Sequence, residues 1–90
     1  MAHHILFYEY VEDVLERRGP YREEHLARIA AWRETGRIVM AGALGDPPHG
    51  AAIAFGPDIE AEEIEAFAED DPYVLAGLVE ARRIERWNVV

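Results

Sequence analysis

The 90-residue sequence contains no cysteine, no serine and no lysine, and each absence excludes a class of chemistry. Without cysteine the chain has no disulfide, no thiolate nucleophile and no CxxC metal or redox site, which suits a reducing compartment. Without serine it has no serine nucleophile, and Thr35 is its one threonine. Without lysine it has neither a Schiff-base amine nor a P-loop, and no Gly-x-Gly-x-x-Gly pattern occurs. These absences leave proton transfer as the favoured chemistry and predict no cofactor.

Basic residues are also scarce, with 9 against 18 acidic residues and a formal net charge of −9. Such a charge repels nucleic-acid phosphates and anionic lipids, so we expect no nucleic-acid or membrane partner. No apolar run approaches the roughly 20 residues of a membrane span, and the first residues lead into a strand-like segment rather than a signal peptide. Without a predicted membrane span or signal peptide, we expect a cytoplasmic protein.

The four histidines show no metal-binding spacing, which predicts no metal site.

The apolar pattern predicts six main elements in one domain spanning residues 1–90. Strands are expected at 3–10, 37–44, 51–55 and 79–90 because these segments are rich in β-branched, aromatic or alternating apolar residues. One helix is expected from Tyr21 to Thr35, where Gly36 supplies a left-handed cap, and a second is expected to end near Asp70. A short third helix begins at Pro72, and residues 11–18 are predicted to form a loop.

The order strand, helix, strand, strand, helix, strand predicts an α+β, ferredoxin-like βαββαβ fold with a four-stranded antiparallel sheet. Both helices then lie on one face of the sheet and leave the other face uncovered. Aromatic and aliphatic side chains on that face would be exposed unless a second copy packs against them. We therefore expect a homodimer or a higher oligomer.

His25 is the strongest candidate for a catalytic side chain. The sequence places it near a predicted helix start, where the helix dipole disfavours imidazolium and leaves a neutral ring that can accept a proton. A base of this kind needs an orienting partner, and a carboxylate from the segment Asp70–Asp71 could supply it. An aspartate directly before a proline is also a common helix cap, so the residues alone leave the role and the choice of carboxylate open.

The sequence resembles the YciI-like (YCII-related) family of the dimeric α+β barrel superfamily over nearly its whole length. Four stretches carry the resemblance: the aromatic first strand, Arg22–Leu26, the segment from Gly36 to Leu44, and Asp71-Pro72-Tyr73 followed by Ala76-Gly77-Leu78 and Trp87. The resemblance implies a ferredoxin-like subunit, a dimer with facing sheets, and a site whose histidine and aspartate correspond to His25 and Asp71. The chain departs from the family at Ala43, where relatives often have proline.

The preferred interpretation is a cofactor-independent enzyme in which His25 and Asp71 perform acid–base chemistry on a small anionic or aromatic molecule. Elimination, isomerisation and hydrolysis all fit. Arg22 is expected to bind a negative charge of the substrate, because it lies three residues before His25 on the same helical face. Tyr73 is a further candidate for substrate binding. Tyr8 and Trp87 could also line a pocket, and all three aromatic residues could instead make core or dimer contacts. The alternative is a non-catalytic ligand-binding or accessory dimer, and a third interpretation has both side chains engaged in helix caps without a cavity.

Overall fold

Eight helices and strands make up the structure, a computed structural model that describes residues 2–90. In chain order they are β1 (Ala2–Tyr10), α1 (Val14–Arg17), α2 (Gly19–Glu34), β2 (Ile38–Leu44), β3 (Gly50–Phe55), α3 (Ala61–Glu69), α4 (Pro72–Leu75) and β4 (Val79–Asn88). The helices cover one face of the sheet. The predicted α+β, ferredoxin-like fold is confirmed.

The sheet has the strand order β2-β3-β1-β4, and every neighbouring pair is antiparallel. Leu6 of the central strand β1 pairs with Ile53 of β3 on one side and with Ile84 of β4 on the other. Residues that pair across strands share one face of the sheet, so Leu6, Ile53 and Ile84 all point toward the helices. The consecutive strands β2 and β3 form an antiparallel hairpin.

The core lies between the inner sheet face and the helices. Leu6, Tyr8 and Tyr10 alternate inward along β1 and are buried. From α3, Ile64 and Phe67 lie three residues apart, the spacing that places them on one helical face, and both are buried. This packing fixes the position of β1 relative to the helices, and the candidate site depends on that position.

Three predicted boundaries were wrong. Residues 11–18 are not simply a loop, because Val14 buries its side chain and begins the single turn α1. The long helix begins at Gly19 rather than at Tyr21, since Pro20 occupies one of the first helical positions, where its missing N–H needs no partner. The last strand ends at Asn88, short of the chain end. Gly36 has a φ of 80°, the left-handed conformation expected after this helix.

Within residues 2–90 no helix covers the outer face of the sheet. The register assigns Ile5 and Phe7 of β1 to that face, together with Ala52 of β3. Met40 and Trp87 lie on the same face and are 62% and 47% exposed. None of the helices within residues 2–90 is long and apolar enough to cross a membrane.

Candidate active site

A hydrogen bond between His25 and Asp71 forms the centre of the candidate site. His25 lies on the inward face of α2, and Asp71 is the N-cap residue of α4. His25 Nδ1 and Asp71 Oδ1 are 2.8 Å apart, and both side chains are buried. An ionised carboxylate can only accept hydrogen bonds, so Nδ1 carries the hydrogen and donates it. Nε2 then holds the free lone pair of the neutral ring, and it makes no hydrogen bond within residues 2–90.

Asp71 accepts two further hydrogen bonds. Its Oδ1 accepts from the Tyr73 backbone N–H at 3.0 Å, which caps α4, and its Oδ2 accepts from the Tyr8 hydroxyl at 2.8 Å. Burial by itself raises the pKa of the Asp71 carboxyl. The hydrogen bond and electrostatic attraction from His25, together with the hydrogen bonds from Tyr73 and Tyr8, outweigh burial and lower this pKa below its ordinary value of 3.8. Asp71 is therefore both a helix cap and the ionised partner of His25.

Tyr73 fixes the plane of the His25 ring. The two rings are stacked with centroids 3.7 Å apart and planes 5° apart. Asp71 holds the imidazole at one nitrogen while Tyr73 packs against its face, so the ring has little freedom to turn. The Tyr73 hydroxyl is buried and has no hydrogen-bond partner in the described part of the chain.

The position of His25 within the helix differs from the expectation. Because α2 begins at Gly19, His25 is its seventh residue and lies beyond the first turn. The helix dipole acts mainly within the first turn, so it does not influence the His25 ring in the way that the sequence predicted. Asp71 and Tyr73 are instead the groups that define the environment of the ring.

A cavity of about 320 Å³ adjoins the His25 ring between α2 and the inner faces of β2 and β3. Its apolar wall comes from α2 and the two strands: Leu26, Ile29, Ala30, Ala41, Gly42, Ala43, Ala51 and Ile53. Two tyrosines and three arginines complete the lining: Tyr10, Tyr73, Arg18, Arg22 and Arg33. The cavity is therefore large enough for a small organic molecule and positively charged in part. Among residues 2–90 no group of three or more His, Cys, Asp or Glu side chains is placed to hold a metal ion.

The structure brings the four predicted site residues, His25, Asp71, Arg22 and Tyr73, to one region. His25, Arg22 and Tyr73 line the cavity, and Asp71 lies behind the histidine ring. Asp70 is exposed and makes no side-chain bond to His25. Trp87 lies on the opposite face of the sheet, away from this cavity.

Four residues contribute to the site in ways that the sequence did not predict: Tyr8, Tyr10, Arg18 and Arg33. Tyr8 was considered for a pocket or the core, but its hydrogen bond to Asp71 joins residues that are 63 positions apart, and no local pattern predicts such a contact. Tyr10 was read only as part of a strand. Arg18 and Arg33 had a usable signal, because they recur on the same helical face as Arg22 and His25.

A family model described as the YCII-related domain matches residues 1–88. The chain belongs to the YCII-related family. The YciI proteins of Escherichia coli and Shigella flexneri are each 34% identical to it over 87 residues, which cover 86% of this chain and 87% of theirs. The identification made from the sequence is thus confirmed.

Among solved structures, this YCII-related chain is similar to the 5-chloro-2-hydroxyhydroquinone dehydrochlorinase TftG from Burkholderia phenoliruptrix, in complex with 2,5-dihydroxybenzoquinone. The TM-score is 0.79 at 22% identity, and the match covers 96% of this chain and 93% of that one. A NIPSNAP family protein from Agrobacterium tumefaciens matches with a TM-score of 0.62 at 18% identity, covering 99% and 92% of the two chains. Both similarities support the fold.

Proposed function

We propose that the protein is a cofactor-independent enzyme in which His25, oriented by Asp71, transfers a proton on a small anionic or aromatic molecule. The observation that carries the proposal is the 2.8 Å hydrogen bond from His25 Nδ1 to Asp71, made by a histidine that lines a cavity. This bond leaves Nε2 as the ring nitrogen available to a ligand. A buried carboxylate and a stacked tyrosine hold the base in one orientation, which is what general base catalysis requires.

The proposed reaction begins when His25 Nε2 takes a proton from an acidic C–H or O–H of the substrate. The imidazolium that forms is stabilised by the Asp71 carboxylate, which stays ionised. The electron pair left on the substrate moves into a neighbouring bond. In an elimination a leaving group departs with its own bonding pair, and in an isomerisation the imidazolium returns the proton to another atom. In a hydrolysis His25 instead takes the proton from water, whose oxygen bonds to the substrate. The bond to the leaving group then breaks, and the imidazolium gives its proton to that group.

The positive side chains of the cavity support the substrate class. Arg22 lies one helical turn from His25 and lines the same cavity, where its guanidinium would bind a carboxylate or phenolate beside the base. Tyr73 would contact the same ligand. The fold neighbour TftG, a dehydrochlorinase acting on a chlorinated hydroquinone and solved with a dihydroxybenzoquinone, makes elimination from an oxygenated ring the first reaction to test.

Proton transfer can be tested by deuterium exchange before the substrate is known. Substituted hydroquinones, lactones and 2-oxo acids would be incubated with the protein in D₂O, and loss of their acidic C–H signals would be followed by ¹H NMR. We expect exchange of at least one compound with the unaltered protein and a loss of at least about 100-fold in His25→Gln, since general base catalysis contributes about 10²–10⁴-fold.

The matched control is His49→Gln, which replaces an exposed histidine outside the cavity and should exchange at the original rate. Equal exchange by His25→Gln and the unaltered protein would remove His25 from the mechanism. Compounds that raise the melting temperature without any exchange would favour the ligand-binding alternative over an enzyme.

We further propose that the outer sheet face is the interface of a homodimer. Ile5, Met40 and Trp87 surround an apolar hollow of about 300 Å³ on that face, and exposed apolar patches of this kind mark interfaces. Sedimentation velocity should show a dimer that Met40→Glu dissociates. Leu75→Glu, at an equally exposed position on α4, should leave it intact. A monomer in the unaltered protein would refute the interface. The cytoplasmic location stays a prediction from composition.

A further inference from the structure

The cavity beside His25 concentrates positive charge in an acidic chain. Arg18, Arg22 and Arg33 line it, and no aspartate or glutamate within residues 2–90 does so. The whole sequence has 18 acidic and 9 basic residues, so a chance surface of this size would include carboxylates. None of the three arginines forms an ion pair with a carboxylate of the described chain, whereas several arginines elsewhere do. Their charges are therefore available to an anionic ligand.

The three arginines lie on both sides of the histidine along α2. Arg18 and Arg22 precede His25, and Arg33 follows it beyond Ile29. These positions recur at three or four residues or multiples of that spacing, so they share one helical face. With a rise of about 1.5 Å per residue, Arg22 and Arg33 start roughly 16 Å apart along the axis. Arg22 and Arg33 thus start from opposite ends of the α2 wall of the cavity, with the apolar Ile29 between them.

Tyr10 adds a hydrogen-bond donor to the cavity near Arg18 and Arg22. Burial raises the pKa of Tyr10 to about 12, helped by Tyr73 and Asp71 and opposed by Arg18 and Arg22, so the hydroxyl keeps its proton at neutral pH. Tyr10 can therefore donate a hydrogen bond to an oxygen of a ligand in the cavity.

We infer that the ligand of this cavity is a small diacid, with one carboxylate-like group bound by Arg18 and Arg22 and the second by Arg33. The apolar body between the two acidic groups lies against Ile29 and Ile53, next to the His25 ring. The inference rests on the proposed function in treating the cavity as the substrate site. It adds that the second acidic group sets the specificity.

Binding of matched acids tests the inference without a known reaction. Calorimetry and thermal shift would compare benzene-1,4-dicarboxylate with benzoate and benzamide, and hexanedioate with hexanoate. Each charge-assisted contact that is lost should weaken binding by about tenfold. We therefore expect each diacid to bind about tenfold more tightly than its monoacid, and benzoate about tenfold more tightly than benzamide. Added salt should weaken the diacids most.

Variants then assign the two ends. Arg33→Gln should reduce each diacid to the affinity of its monoacid while leaving the monoacids unchanged. Arg22→Gln should weaken monoacids and diacids alike by about tenfold. Arg86→Gln, an exposed arginine on β4 outside the cavity, is the control and should change neither.

The inference is overturned if neither diacid binds, if benzamide binds as tightly as benzoate, or if Arg33→Gln keeps the diacid preference. The proposed function fails separately. Diacids that bind His25→Gln and the unaltered protein equally, with no deuterium exchange in either, would support the ligand class and remove the enzyme. Deuterium exchange on neutral compounds, with no preference for binding diacids, would support the proposed enzyme and overturn the diacid as its ligand.

Discussion

Replacing Asp71 by asparagine tests how much of the folded state depends on the buried carboxylate, because the change removes the charge and keeps the shape. The asparagine carbonyl can take the place of Oδ1 and still accept from His25 Nδ1 and the Tyr73 amide. Its NH₂ group then takes the place of Oδ2 and faces the Tyr8 hydroxyl, which must turn its lone pair toward the amide to restore a bond.

The expected loss follows from the change in acceptor. Hydrogen bonds to a charged group contribute about 1.5–3 kcal/mol and neutral ones about 0.5–1.5 kcal/mol, so each converted bond loses roughly 1 kcal/mol. A neutral amide costs less free energy to bury than a carboxylate, and this difference offsets part of the loss from the three weakened hydrogen bonds. We expect the free energy of unfolding to fall by about 2 kcal/mol at pH 7, which in a domain of this size lowers the melting temperature by roughly 8–16 °C.

The same variant should change the acid dependence of stability. The pKa of Asp71 is lower in the folded state than its ordinary value of 3.8, so the ionised carboxylate stabilises the folded state above that value. The stability that the carboxylate provides declines as the pH falls below about 4, and it is lost once the pH falls through the lower, folded-state pKa of Asp71. The stability difference between the unaltered protein and Asp71→Asn should therefore be full at pH 7 and shrink in that acid range.

Urea unfolding followed by circular dichroism at pH 7, 5, 4 and 3 measures both effects. Asp70→Asn is the matched control, because it makes the same chemical change at the exposed neighbouring residue and should alter stability by less than about 0.5 kcal/mol. Equal stability of Asp71→Asn and Asp70→Asn would show that the buried carboxylate does not stabilise the fold. A stability difference between the unaltered protein and Asp71→Asn that stays constant from pH 7 to pH 3 would contradict the lowered pKa of Asp71.

Two further changes test contacts around the same carboxylate. Tyr8→Phe leaves Asp71 Oδ2 buried without a donor and should cost about 1–3 kcal/mol in urea unfolding. Burial and Asp71 raise the pKa of Tyr8 in the folded state, so above pH 10 the Tyr8 hydroxyl ionises only in the unfolded state. The unaltered protein should therefore lose stability above pH 10 more steeply than Tyr8→Phe. Gly50→Ala would place a Cβ against the Tyr8 carbonyl oxygen, closer than any real Cβ contact, and should unfold the protein or lower its melting temperature sharply. Gly19→Ala, with open space around it, should not, and equal melting temperatures of the two variants would contradict the packing.

Local signals in the sequence were sufficient for most of the fold. Alternation and helical spacing predicted the order of the sheet strands and main helices, and the glycine at position 36 marked the end of α2. The errors lie where a short segment is decided by tertiary packing. Val14 forms a helical turn because its side chain reaches the core, and a four-residue helix has too little periodicity to be read from the sequence.

The candidate site was predictable only in part, for a physical reason. The pairing of His25 with a carboxylate from the segment Asp70–Asp71 could be guessed, but the spacing does not choose between adjacent aspartates. The choice depends on the direction of the chain at the start of α4, where the first aspartate is exposed and the second turns inward as the N-cap. The bond from Tyr8 joins distant elements and has no local signature.

Asp71 links the proposed chemistry to the stability of the fold. Its two oxygens bind one donor from each of three elements, namely Tyr8 of β1, His25 of α2 and Tyr73 of α4. A shift of any one of these elements would change a hydrogen bond of the carboxylate that orients the base. A 90-residue domain has a small core and little stability to lose, so a charged group held between its sheet and helices is costly unless every contact is satisfied. The satisfied carboxylate therefore stabilises the packing and keeps His25 Nε2 free for a ligand at the same time.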